Sequence, residues 1–168
     1  MNADQPVTNQ SPRMSPDSPY YYGSSENRLN SKGQVAIPAR FRLAAPEEDQ
    51  RRNYVLVRGE TACLYLYTHR QFGRIKDNVK RLAEGAGDGE FYRRFMAETQ
   101  AVDLDTQGRF VVPATMLAAV GIAGPRLLFI GMDDRIEIWD PDAWQAASGD
   151  SANYEDTRRR EARQIFGI

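Results

Sequence analysis

The chain has little of the chemistry on which metal sites, redox centres and disulfide-stabilised domains depend. Its 168 residues include one cysteine, Cys63, and one histidine, His69. These counts exclude a disulfide framework and a zinc cluster, and they leave no Cys–His pair drawn from separate motifs. We therefore predict that the protein holds no metal and needs no cofactor.

Long apolar runs are also missing. The run at 127–130 is short, whereas a bilayer-spanning helix needs roughly 20 consecutive apolar residues. The N-terminal residues lack the basic region and apolar stretch of a secretory signal. Hydrophobic residues make up 41% of the chain and charged residues 27%, which is enough apolar material for a core. We expect a cytoplasmic protein with no membrane partner.

Positive and negative charges nearly balance over the whole chain, but they are unevenly distributed along it. The net charge of −1 excludes a polycation that coats nucleic acid, although it does not exclude a local basic patch. The window 28–42 contains no acidic residue, while the window 103–117 contains two acids and one base. The basic residues of the first window are Arg28, Lys32, Arg40 and Arg42. Such a window attracts phosphate, but from charge alone an ordinary solvated surface remains an equal alternative.

An internal duplication organises the middle of the chain. The segments 29–39 and 104–114 share Leu, Gly, Pro and Ala at matching positions, and a second pair, 57–67 and 130–139, follows in the same order. In each copy a turn glycine and period-two alternation of apolar residues predict strand, tight turn, strand, short helix, strand, turn and strand. The predicted fold class is α+β, mainly β, built from two βαβ-type repeats with flanking helices.

The composition divides the chain into five segments. Residues 1–22 contain four prolines and three serines and are predicted to form a disordered tail. The first repeat occupies 24–71 and the second 99–143. Connecting helices are expected at 72–98, and a helical tail is expected at 144–168.

Local signals mark the ends of these helices. Thr68 followed by Gln71 predicts a capping box at the start of the connecting segment. The glycines within 85–89 are expected to interrupt that helical stretch. The segment 154–166 has acids early and arginines late, as the helix dipole favours, and is predicted to be helical.

Candidate catalytic groups are few. His69 lies at a predicted helix start and has no partner motif. The pairs Asp103/Asp105 and Asp133/Asp134 lie in or beside turns, where aspartate is favoured because its side chain bonds to the backbone. The sequence also lacks a glycine-rich loop that binds phosphate after a strand. We predict that the protein is not an enzyme and has no small-molecule substrate.

Two copies of one motif are similar to a known family. Except at positions 30 and 34, residues 29–42 follow the pattern Leu-Asp-x-Lys-Gly-Arg-Val-x-Ile-Pro-x-x-Phe-Arg, and 104–109 begin a degenerate second copy. Residues 131–139 read Gly-x-x-x-x-Ile-Glu-Ile-Trp, and 21–23 resemble an aromatic-x-Gly opening. Together these segments resemble the MraZ family of bacterial regulators, encoded at the head of the division and cell-wall gene cluster. The resemblance covers roughly residues 21–145.

The resemblance implies both an architecture and a function. It implies two AbrB-like swapped-hairpin repeats that form a pseudo-twofold barrel within one subunit. It also implies a sequence-specific transcriptional regulator, a repressor of its own division and cell-wall gene cluster, associated with the nucleoid. Such a protein binds direct repeats in promoter double-stranded DNA as a ring-shaped homo-oligomer, and linked sites of this kind gain affinity through effective concentration.

The DNA-facing signature of the family is Asp-x-x-x-Arg in each repeat, which implies DNA-binding roles for Asp105 and Arg109. In the first repeat Asn30 and Gln34 stand in its place. A hydrogen bond between these two amides would preserve the turn, and glutamine can read adenine. With the nearby basic residues, the predicted DNA-binding set is Arg28, Asn30, Lys32, Gln34, Arg40, Asp105 and Arg109.

Two other functions remain open at this level. One is an oligomeric protein-interaction scaffold that has lost DNA binding through the exchange at Asn30 and Gln34. The other is an antitoxin-like partner of a toxin protein that uses its C-terminal helix as a clamp. The basic window 28–42 favours DNA binding over the scaffold, because a surface that no longer binds DNA is not expected to remain free of acidic residues.

Overall fold

The computed structural model describes residues 21–50, 54–149 and 151–167. In the first half of the chain the elements are β1 (Ser24–Arg28), β2 (Gln34–Ala36), α1 (Ala39–Ala44), β3 (Tyr54–Arg58), β4 (Cys63–Thr68) and α2 (His69–Ala86). Then follow α3 (Gly89–Ala97), β5 (Gln100–Val102), β6 (Arg109–Val111), α4 (Ala114–Ala119), β7 (Arg126–Met132) and β8 (Arg135–Trp139). The C-terminal helices are α5 (Pro141–Ala147), α6 (Ser151–Arg160) and α7 (Ala162–Phe166).

Both repeats have the predicted order of strand, strand, helix, strand and strand. Their strands pair across the repeats, because β1 lies antiparallel to β7 and β5 lies antiparallel to β3. The two β-hairpins, β3–β4 and β7–β8, join through β4 and β8. The resulting six-stranded sheet has the order β1-β7-β8-β4-β3-β5, and β2 pairs with β6 in a separate two-stranded ribbon. The fold is therefore mixed α+β with mostly antiparallel strands. More of the described residues lie in helices than in strands, so the prediction of a mainly β protein is wrong.

The main core lies between the ribbon and one face of the sheet. Val35 and Phe110 point inward from the ribbon and are each 1% exposed. Leu64 and Leu66 on β4 are fully buried in the same cluster, which also contains Phe41 of α1. Because alternate residues of a strand face opposite sides, these positions follow directly from the period-two pattern. Burial of each large apolar side chain contributes about 1.5–3 kcal/mol and holds the ribbon on the sheet.

Helices cover the other face of the sheet. The α2 helix packs Phe72 against Val55, Val57 and Tyr67. It begins with the predicted capping box, in which Gln71 and Thr68 exchange side-chain and backbone hydrogen bonds. It ends at the left-handed Gly87, inside the glycine stretch that was expected to interrupt it. In the described part of the chain, no helix combines the length and apolar character that crossing a membrane requires.

The N-terminal boundary differs from its prediction at Tyr21. This residue falls within the predicted disordered tail 1–22, yet it is 2% exposed and its backbone bridges to Asp133. Its ring packs edge-on against Phe41 at a centroid distance of 6.2 Å. The aromatic ring has a place in the core that composition alone does not reveal. The rest of the predicted tail, 1–20, lies outside the described residues.

The C-terminal segment differs in one respect from its prediction. The stretch 154–166, predicted to be helical, is divided at Glu161 between α6 and α7. Neither helix buries a residue. Without a packed face, nothing holds the two helices in one continuous line.

Candidate nucleic-acid interface

The first turn, at 30–34, is closed by hydrogen bonds centred on Asn30. Its backbone N–H donates to the Gln34 carbonyl at 2.9 Å, and its carbonyl accepts from the Gly33 N–H at 3.0 Å. Its side-chain Oδ1 accepts from the backbone N–H groups of Lys32 and Gln34, both at 2.9 Å. Gly33 has a φ of 71°, a conformation that glycine adopts without a steric penalty. The backbone and the side chain of Asn30 therefore close the turn together.

The second turn, at 105–109, repeats this arrangement around Asp105. Its backbone N–H donates to the Arg109 carbonyl at 2.8 Å, and its carbonyl accepts from the Gly108 N–H at 3.0 Å. Its Oδ1 accepts from the backbone N–H groups of Gln107 and Arg109, both at 2.9 Å. Gly108 has a φ of 72°. The two turns therefore share one backbone hydrogen-bond pattern.

The turns differ in the side-chain bond that spans them. Arg109 Nε donates to Asp105 Oδ2 at 2.8 Å, whereas Asn30 Nδ2 donates to Gln34 Oε1 at 3.0 Å. The predicted amide–amide bond is thus present, and it replaces an ion pair with a neutral pair. Because Asn30 Oδ1 already accepts two backbone N–H groups, the orientation of that amide is set by the turn. Within the part of the chain that the structure describes, Nη of Arg109 and Nε2 of Gln34 take no part in these spanning bonds, so they can donate to a ligand.

The charge of Asp105 is stabilised by its own turn. The backbone N–H of Arg109, followed by the Arg109 guanidinium, lowers the pKa of the Asp105 carboxyl below its ordinary value. The carboxylate is therefore ionised at neutral pH and keeps Arg109 close to the turn. In the first turn the same position is uncharged, so the two turns present different electrostatics on one backbone shape.

The ribbon brings the ends of both turns onto one face. In its register Gln34 lies opposite Val111, and Ala36 lies opposite Arg109. The alternate residues point into the core, so these four side chains share the outer face. On this outer face Gln34 and Arg109 are diagonal neighbours across the two strands. Diagonal neighbours in an antiparallel pair lie about 7–8 Å apart. A two-stranded ribbon has the size of element that enters the DNA major groove.

Arg42 lies beside the second turn, although the predicted set left it out. It belongs to α1 of the first repeat, yet its Nη1 donates to the Gln107 carbonyl of the second turn at 3.2 Å. Its guanidinium occupies the space where a β-carbon on Gly108 would lie. The basic window 28–42 contained the signal, but the contact joins positions that are 65 residues apart. Only the exchange of strands between the repeats places α1 beside this turn.

The remaining basic residues lie in the first turn, on β1 and on α1. Lys32 is exposed within the first turn, and Arg28 is exposed on β1, directly before it. Arg40 is exposed on α1, where its Nη1 donates to the Ser24 carbonyl at 3.4 Å. A groove of about 420 Å³ is lined by Arg40, Arg42 and Gln107, among other residues. Arg40 therefore contacts the start of β1 and lines the same groove as Gln107 of the second turn.

Glu26 limits the positive charge on β1. Its carboxylate accepts from Arg126 Nε at 2.7 Å and from Nη2 at 3.1 Å across the β1–β7 pair. Arg28 lies opposite Arg126 in the same register. The bidentate bond engages Arg126 and leaves Arg28 as the basic residue at the end of the strand.

Comparison with known proteins gives one consistent result. Residues 95–165 match the family model described as "MraZ protein, putative antitoxin-like". The chain is 34% identical over 125 residues to the transcriptional regulator MraZ of Arthrobacter sp. (strain FB24), covering 74% of this chain and 84% of the relative. It is 32% identical over 127 residues to the transcriptional regulator MraZ of Cytophaga hutchinsonii, covering 75% of this chain and 83% of the relative.

A third relative agrees with these two. The transcriptional regulator MraZ of Paenarthrobacter aurescens (strain TC1) is 33% identical over 125 residues, covering 74% of this chain and 83% of the relative. The resemblance predicted from the duplicated motif is thus confirmed across most of the chain. This chain belongs to the MraZ family of transcriptional regulators.

Proposed function

We propose that the protein is a sequence-specific DNA-binding regulator of transcription that uses the outer face of the β2–β6 ribbon and the turns at its ends. The observation that carries the proposal is the shared geometry of the two turns. Asn30 and Asp105 make the same backbone bonds, and they place Gln34 and Arg109 on one exposed face. Two turns with the same geometry suit a ligand whose structure also repeats. The successive base pairs of a DNA duplex form such a ligand.

Protein–DNA contacts are of two kinds: some position the protein on the duplex, and others read the base sequence. Arg109 reads guanine through its Nη donors, and Gln34 reads adenine through its amide. Asp105 and Asn30 position these readers and hold the turns. The residues that contact phosphate are Arg28, Lys32, Arg40 and Arg42.

The exchange of strands supports a swapped-hairpin barrel as the scaffold of this surface. We assign 24–71 and 99–143 to its two repeats, 72–98 to connecting helices and 144–168 to a helical tail. Each repeat contributes an outer strand to the hairpin of the other, and each contributes one strand to the ribbon. In this arrangement one chain holds both turns in a constant relative position. DNA binding therefore loses little conformational entropy in ordering the turns.

At the level of the cell, we propose that the protein represses its own division and cell-wall gene cluster. A ring-shaped homo-oligomer in the nucleoid presents one ribbon face per subunit to the direct repeats of the promoter. Linked faces gain affinity by effective concentration without any new contact. Leu82 on α2 and Phe91 on α3 are 69% and 48% exposed, and they supply apolar surface for contacts between subunits.

A mobility-shift competition tests the proposal. DNA from upstream of the gene is labelled and challenged with unlabelled upstream DNA or unrelated DNA at moderate salt. We expect only the upstream DNA to compete, and we expect Arg109→Ala to weaken binding. Arg93→Ala is the matched control, because Arg93 is an exposed arginine that pairs with Glu90 on α3. Equal competition by both DNAs would contradict sequence-specific binding and would favour the scaffold or antitoxin-like alternatives.

A further inference from the structure

One apolar side chain stands exposed among the polar readers of the ribbon. Val111 ends β6 and is 53% exposed. Its chain neighbours Phe110 and Val112 are 1% and 3% exposed and belong to the core. The alternation along the strand therefore turns the Val111 side chain to the outer face. A single exposed valine is common on protein surfaces, so exposure by itself indicates no function for Val111.

The position of Val111 is set by the strand register. It lies directly opposite Gln34 and two residues after Arg109 on the same face. Side chains that are directly opposite in an antiparallel pair have Cβ atoms about 4.5–5.5 Å apart. Val111 is therefore within one or two base-pair steps of whatever Gln34 contacts, since successive base pairs are about 3.4 Å apart.

The chemistry of the major groove offers one apolar partner to such a side chain. Among the four bases, thymine presents a C5-methyl group there, and every other base edge is a hydrogen-bond donor or acceptor. An A·T pair presents adenine, which suits an amide reader such as Gln34, beside the methyl group of its thymine. An isopropyl group opposite the amide complements that pair.

We propose that Val111 contacts a thymine C5-methyl group in the major groove and is a specificity-determining residue for DNA binding. The inference rests on the proposed function, because it requires that the outer face of the ribbon enters the groove. It adds to that function a preference for thymine within one or two base-pair steps of the adenine that Gln34 reads.

The test compares DNA with and without the methyl group. The upstream fragment is synthesised once with thymidine and once with deoxyuridine throughout, so the two DNAs differ only at C5. Wild-type protein should bind thymine DNA more tightly, by about fourfold for each methyl contact, since a buried methylene-sized group contributes about 0.8 kcal/mol. For Val111→Ala the affinity ratio between the two DNAs should fall by that factor. Val111→Thr, which keeps one methyl group and the β-branched shape, should keep an intermediate ratio.

The controls separate this contact from general effects of deoxyuridine on the duplex. Ile165→Ala removes an exposed apolar side chain that lies on α7, outside the ribbon, and should keep the wild-type ratio. A Val111→Ala protein that binds specifically with the wild-type ratio overturns the inference and leaves the proposed function intact. An equal loss of ratio in Ile165→Ala also overturns it. Failure of wild-type protein to prefer upstream DNA overturns the proposed function, and this inference with it.

Discussion

The guanidinium of Arg42 lies against Gly108, in the space that a β-carbon would otherwise fill. Gly33, at the matching place in the first turn, faces open space, because the nearest atom to such a β-carbon is the Val112 carbonyl oxygen at 4.0 Å. The two glycines have the same backbone conformation, with φ values of 72° and 71°. They therefore differ in surroundings but not in backbone, and they form a matched pair for substitution.

Alanine at each of these glycines should separate backbone strain from loss of the Arg42 contact. Gly33→Ala and Gly108→Ala should each destabilise the fold by about 1–2 kcal/mol, because a β-carbon is strained at positive φ. Gly108→Ala must also displace the Arg42 guanidinium, so it should weaken DNA binding more than Gly33→Ala does. Denaturant unfolding and DNA titration measure the two effects. Arg42→Ala should have little further effect on affinity once Gly108→Ala is present, and equal affinities for the two alanine variants would count against the role of Arg42.

Restoring the family pair in the first turn should change DNA binding without loss of stability. The double variant Asn30→Asp with Gln34→Arg keeps the backbone bonds of the turn and adds an exposed ion pair, which contributes about 0.2–1 kcal/mol. Each added phosphate contact should steepen the log–log salt dependence of binding by about 0.9. If Gln34 reads a base edge, sequence preference should instead shift by about 1–3 kcal/mol at one position.

The same pair should show coupling. Gln34→Arg alone places a guanidinium beside the Asn30 amide without its carboxylate partner, so it should be less favourable than the pair. A double-mutant cycle of affinity measures this difference. Unchanged affinity, salt slope and preference in all these variants would mean that this turn does not contact DNA.

The carboxylate of Asp105 should make the stability of the second turn depend on pH. Its hydrogen bonds lower its folded-state pKa below the unfolded value, which is about 3.9 for aspartate. Its contribution is therefore complete above that unfolded value and is lost as pH falls through the folded value. Asp105→Asn keeps a side-chain acceptor for the backbone but does not titrate. The difference in unfolding free energy between wild type and Asp105→Asn should shrink as pH is lowered from neutral to below about 4. A difference independent of pH would show that the carboxylate does not stabilise the turn.

Tyr21 should stabilise the fold through its ring and not through its hydroxyl. The ring is 2% exposed and packs against Phe41, so Tyr21→Ala should cost about 3–5 kcal/mol. Among the described residues, no hydrogen-bond partner is found for the buried hydroxyl. Removing that hydroxyl in Tyr21→Phe should therefore leave the melting temperature unchanged or raise it. Thermal unfolding of both variants measures this, and a marked loss in Tyr21→Phe would reveal a partner for the hydroxyl.

The sequence by itself determined the local features of this protein. The turns at 30–34 and 105–109 are closed by bonds that span four residues, so their residue types were sufficient to predict them. The capping box at Thr68 and Gln71 spans three residues and was predictable for the same reason. Period-two alternation also placed Leu64 and Leu66 on one side of β4, and Ile136 and Ile138 on one side of β8, because that property belongs to a strand before it has a partner. It predicted strands buried on one side only, whereas the opposite sides of both strands are also largely buried, since helices cover them in the folded chain.

Only the tertiary structure decided which strands pair and which distant residues meet. An alternating strand can pair equally well with its own repeat or with the other, and nothing local distinguishes the two. The observed exchange places Val111 opposite Gln34 and brings Arg42 to Gly108. It also provides the core position that Tyr21 fills. These relationships join residues far apart in the chain, and they depend on the burial of a shared core, which is a property of the folded chain as a whole.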